Sequence, residues 1–155
     1  MAGIIVGAKI VGGQFWERKL QAAFEAWAEE DVNDKYWKEQ FTTEVWGYPG
    51  PTKRKNPNAL VRDAYSPRDI YDYGRLYDSG VESFTLASSS SQATASWNWD
   101  ARNSTGKLYA YYVHEGKGGN LVPRRWTDDL VSPSLFLNNR LSKQLERRII
   151  AALGR

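Results

Sequence analysis

Helix-period spacing of apolar residues occupies both ends of this chain and strand-period alternation its middle, a pattern that points to an α+β fold. Over residues 14–46, Trp16, Leu20, Phe24 and Trp27 recur at three- and four-residue steps, with Glu17, Arg18, Lys19, Glu25 and Glu29 on the other faces. Ala22, Ala23, Ala26 and Ala28 add helix propensity. Asp31-Val32-Asn33-Asp34 are weak helix formers and predict a bend or break, after which Tyr36, Trp37 and Phe41 resume the stripe. At the other end, Leu137, Leu141, Leu145, Ile149 and Leu153 fall every fourth residue and predict a helix over 134–153. Ser132-Pro133 supplies a cap and a first-turn proline, and Lys143, Arg147 and Arg148 lie toward the carboxyl end, where positive charge is favoured.

Between the helices, Gly47-Tyr48-Pro49-Gly50-Pro51 ends the first pattern and opens a loop over 47–66 that carries Lys53, Arg54 and Lys55. Residues 67–133 read as a sheet region. Alternation over 81–87, a serine turn at 88–91 and renewed alternation of Ala93, Ala95, Trp97 and Trp99 predict an antiparallel hairpin. A tyrosine-rich third strand is expected over 108–114, ended by Glu115-Gly116-Lys117-Gly118-Gly119. Residues 1–13 hold short apolar runs broken by glycine with no basic stretch ahead of them, which fits neither a signal peptide nor a membrane span. A chain of 155 residues fits a single domain, 1–155, and buries enough surface to need no disulfide or metal.

With no cysteine, thiolate catalysis and cysteine-ligated zinc are excluded. One histidine, His114, stands beside Glu115, but no nucleophile motif accompanies it, so a hydrolase centred on His114 is a minor rival. Gly116-Lys117-Gly118-Gly119 lacks the length and following helix of a phosphate loop, and Asp69, Asp72 and Asp78 lack the glycine and glutamate of a calcium loop. Neither a cofactor nor a metal is expected, and no enzyme activity.

The net charge of +3 is unevenly spread: residues 1–50 carry five Lys/Arg against eight Asp/Glu, and residues 51–155 carry sixteen against ten. Such a split suits head-to-tail packing of copies as well as two ordinary solvated surfaces. Seven Trp, nine Tyr and five Phe exceed what a short core readily hides, which hints at subunit contacts. The reading from a different class is a small nucleic-acid-binding module, with Lys53, Arg54 and Lys55 meeting phosphate and exposed tryptophans stacking bases.

Two segments carry a pattern that is known elsewhere. Ser66-Pro67-Arg68-Asp69-Ile70-Tyr71-Asp72-Tyr73-Gly74-Arg75-Leu76-Tyr77-Asp78-Ser79 resembles the proline, Asp-Thr-Gly-Arg-Leu, Ser signature of tailed-phage neck and tail-completion (virion morphogenesis) proteins. Tyr109-Ala110-Tyr111-Tyr112-Val113-His114-Glu115-Gly116, followed by Pro123-Arg124-Arg125-Trp126, is similar to the second block of those families. The likeness spans residues 66–155, in matching order around a hairpin; Tyr73 departs from it, standing where the pattern has Thr. Asp72, Tyr73, Gly74, Arg75, Leu76, Ser79, Tyr109, Ala110, Gly116, Pro123, Arg125 and Trp126 are the motif positions, with scaffolding roles.

The resemblance implies a structural virion protein of the head–tail junction, made in the host cytoplasm. It would close into a ring, commonly six-fold, that joins the tail tube to the head connector and lets DNA pass through its lumen. Its partners would be further copies of itself, the adjacent neck or connector protein, and the tail-tube or sheath protein, with no membrane. The loops 47–66 and 116–122, carrying Lys53, Arg54, Lys55, Lys117 and Asn120, are candidate docking contacts.

Overall fold

The computed structural model describes residues 2–9, 14–42, 75–89, 91–102, 105–116, 123 and 125–154. The fold is α+β, a three-stranded antiparallel sheet with helices before and after it. In chain order the elements are β1 (Ala2–Lys9), α1 (Gln14–Ala26), a π-helix (Trp27–Tyr36), α2 (Trp37–Thr42), α3 (Arg75–Glu82), β2 (Thr85–Ser89), β3 (Gln92–Trp99), α4 (Ala110–Glu115), α5 (Asp128–Val131), α6 (Pro133–Asn138) and α7 (Arg140–Leu153). They group into two compact units. One is Met1–Ala2, Tyr36–Ser83 and Asn98–Trp126; the other is Gly3–Lys35, Phe84–Trp97 and Thr127–Arg155.

The second unit holds most of the sheet, ordered β1-β3-β2. The hairpin forms as its alternation predicts, with Thr85 opposite Ser96, Ala87 opposite Thr94 and Ser89 opposite Gln92. Ala93, Ala95, Trp97 and Trp99 of β3 are all buried. The turn is tighter than the serine run suggested, because Ser88 and Ser89 pair with Ala93 and Gln92 and so belong to β2. The early alternation over 81–84 is not strand: Val81 and Glu82 finish α3. The N-terminal segment, given no role by its glycine-broken pattern, is the third strand, with Ile4 6% exposed and Ile5 76% exposed on opposite faces.

In this unit α1 packs against α7. Trp27 is fully buried there, donating its indole N–H to the Leu141 carbonyl at 3.0 Å and meeting Phe24 and Phe136. Leu141 is buried, but the expected single C-terminal helix is two helices. Asn139 is extended (φ −100, ψ 176), and its Oδ1 accepts the N–H groups of Leu141 and Ser142, capping α7. The cap outcompetes helix continuation, so Leu137, the first residue of the expected four-step ladder, lies on α6 and is 70% exposed. Pro133 stands in the first turn of α6, as its position predicts, while Ser132 makes no side-chain cap there.

The long N-terminal helix exists, and the weak stretch 31–34 does not break it: residues 27–36 take up π-helix. The burial pattern explains why. Trp27 and Ala28, then Asp31, Val32 and Asn33, then Tyr36 and Trp37 are buried, while Glu29, Glu30, Asp34 and Lys35 are exposed. Buried groups recur at four- and five-residue steps, which i→i+5 bonding places on one side of the helix and an α-helix would smear around it.

The expected strand over 108–114 is a correction: Ala110–Glu115 is α4, and only an isolated bridge, Arg102 to Leu108, has strand pairing. A continuous apolar run carries no period that separates strand from helix. Here Ala110 is buried and Tyr111 and Tyr112 are exposed, and the run ends on Gly116 in the left-handed region (φ 65) that stops a helix. Among the described residues no helix is long and apolar enough to cross a membrane.

Candidate functional site

The first unit brings together the described parts of the two motif blocks, and α3 carries residues 75–79 of the first. Spacing of three and four residues divides α3 into two sides. Arg75, Asp78, Ser79 and Glu82 line an open polar cleft with Ser83 and Asp100, while Leu76 and Gly80 are buried. Gly80 is required by close packing: a Cβ built there would lie 2.1 Å from Nε1 of Trp99. Ser79 donates its hydroxyl to the Leu76 carbonyl at 2.9 Å, closing the helix on itself rather than reaching outward. Ser83 donates to the Gly80 carbonyl at 2.8 Å and accepts the Asn98 N–H at 2.7 Å, tying the end of α3 to the end of β3.

The second block is built on α4. Tyr109 stands at its N-cap position and donates its backbone N–H to the Ala101 carbonyl at 3.1 Å. Ala110 is 0% exposed. At the other end Gly116 closes the helix, its N–H donated to the Tyr112 carbonyl. A Cβ on Gly116 would meet the Pro123 ring at 2.6 Å, so this glycine is fixed twice over, by φ and by contact. His114 Nδ1 pairs with Glu115 at 2.7 Å, Arg125 reaches the other Glu115 oxygen at 3.4 Å, and the His114 ring meets Trp126 edge-on at 4.7 Å. The group ties the start and end of the block together: α4 is held to the segment that bears Trp126.

The blocks meet in an aromatic core. Trp126, 1% exposed, lies 5.9 Å from Trp99 and 5.3 Å from Phe41. Phe41 also meets Tyr77 of α3 at 5.7 Å, and Trp99 meets Trp37 at 5.0 Å. Trp126 thus anchors the core as its position in the motif suggested. Gly80, Trp99 and Phe41 join the motif residues into one core, although neither block names them. Gly80 gave no signal of this packing in the sequence, where it stands as a turn residue ahead of the expected strand.

The motif residues therefore contribute packing and backbone geometry: Leu76, Ala110 and Trp126 by burial, Gly116 and Pro123 by close approach, Ser79 by a local hydrogen bond. Arg75 and Arg125 are exposed at the surface. Asp72, Tyr73 and Gly74 of the first block, and the docking candidates Lys53, Arg54, Lys55, Lys117 and Asn120, lie outside the described residues, as do Asp69 and positions 43–46, where the first helix was expected to continue.

The tryptophans bear on the nucleic-acid reading. Trp27, Trp37, Trp97, Trp99 and Trp126 are at most 1% exposed and cannot stack bases, while Trp16 is 40% exposed with Lys19 over its ring. Phe24, Tyr36 and Phe41 are buried with these five tryptophans, while Tyr111 and Tyr112 join Trp16 at the surface. No family model, curated protein or solved structure matches the chain.

Proposed function

We propose that this chain is a structural virion subunit of the head–tail junction of a tailed phage, assembling into a ring that joins the tail to the head connector. The observation that carries the reading is the convergence of the two motif blocks, through Gly80, Trp99, Phe41 and Trp126, on one aromatic core. Residues that match a morphogenesis signature here act as packing and turn elements, which is what a subunit needs to present a fixed surface to its neighbours. Exposed apolar side chains on the α5–α6 segment, Val131, Leu135 and Leu137, suit burial against a neighbour.

The role is mechanical. Contacts between copies close the ring, one face receives the tail, the other receives the connector, and the lumen passes DNA without reading its sequence. A phage carrying a deletion of the gene tests this. Filled heads and separate tails in the lysate, rejoined when the protein is supplied from a plasmid, are the expected result. Normal infectious particles without the protein would overturn the proposal.

A further inference from the structure

A π-helix ten residues long is unusual on physical grounds, because i→i+5 bonding rarely runs beyond a single turn inside an α-helix. Its own residues favour it weakly, with Asp31, Val32, Asn33 and Asp34 all poor helix formers. Such a segment persists only where its surroundings over-determine it. Two polar contacts do so within the second unit. Asn33 Oδ1 accepts the indole N–H of Trp97, a β3 residue, at 3.0 Å. Arg148 of α7 bridges two neighbouring carboxylates, Asp31 at 2.5 Å through Nε and Glu30 at 2.6 Å through its terminal nitrogen. Lys35 adds a longer pair to Asp31 at 3.8 Å.

The contacts differ in how open they are. Trp97 and Asn33 are buried, whereas the Arg148 side chain is 26% exposed and Glu30 56% exposed. Asp31 and Asn33 are the buried polar members of the π face, at 7% and 8% exposure. In α register their side chains would turn away from Trp97 and Arg148, since successive residues then step by a larger angle around the axis. The same contacts that satisfy these two groups therefore also select the register.

We propose that residues 27–36 form a register switch: a helical stretch held in π bonding by the Asn33–Trp97 and Asp31–Arg148 contacts, which passes to α bonding when they are withdrawn. Arg148 is the accessible half of the device, reachable by a competing carboxylate or phosphate from outside. Its release frees a guanidinium on α7 and leaves the Asn33–Trp97 bond as the remaining hold on the register.

Through-hydrogen-bond NMR couplings on the full chain read the register directly, because each identifies which carbonyl a given N–H donates to. In the native protein the Val32 N–H is expected to couple to the Trp27 carbonyl, five residues back. In a chain carrying Arg148→Met with Trp97→Phe, the couplings are expected to move to carbonyls four residues back while α7 amides stay protected. Retained five-residue couplings in that double variant, with α7 still protected, would overturn the proposal. Four-residue couplings in the native chain would overturn it as well. Should the double variant fail to fold, Arg148→Lys keeps the charge and loses the two-pronged contact. Exchange of the 31–36 amides about tenfold faster relative to α7 is then expected, and unchanged relative exchange would count against the switch.

Discussion

Gly80 and Gly116 show how little room the motif core leaves at single positions. Gly80→Ala sets a methyl group against the buried Trp99 ring, with atoms 2.1 Å apart before relaxation. It is expected to cost about 3 kcal/mol, the upper range for overpacking, as a lower urea midpoint with unchanged slope. Gly116→Ala is strained by both φ 65 and the Pro123 ring. A loss of about 2 kcal/mol is expected, measured the same way. Trp126 was legible as an anchor because a large aromatic after a proline-stiffened return has few other uses. Gly80 was legible only as a turn residue, since nothing local reveals the ring that leans on it from β3.

Among elements, those with a clean period were readable and those decided by a partner were not. The hairpin and both terminal helices follow from alternation or four-residue spacing. The α4 segment did not, because an unbroken apolar run fits either state until Gly116 stops it. The division of the last helix at Asn139 was hidden for a different reason: Asn is an ordinary residue in a periodic run until its Oδ1 takes two N–H groups and its Nδ2 donates to the Asp129 carbonyl at 2.6 Å. Asn139→Ala is expected to cost about 1–2 kcal/mol, as a lower melting temperature together with faster amide exchange in the first turn of α7. The π-helix was hidden for the same kind of reason: its buried pairs and triplets include Asp31 and Asn33, polar residues whose burial is decided by their partners. A reading limited to periods of two and 3.6 passes over it.

At the scale of the whole molecule, the described motif residues converge on an aromatic core beside an open polar cleft along α3. Burial of five tryptophans withdraws them from any contact with partners. Among the exposed apolar side chains, Leu137 is 70% exposed and Leu135 46% exposed on α6. Leu137→Ser is accordingly expected to change monomer stability by no more than about 0.5 kcal/mol, while lowering the mass of assembled species in sedimentation if α6 lies between copies. The position of the protein in the particle decides the rest. Immunogold electron microscopy of intact virions, with antibody raised against this chain, is expected to place label at the single point where the tail meets the head. Label along the tail shaft or over the capsid faces would contradict the account.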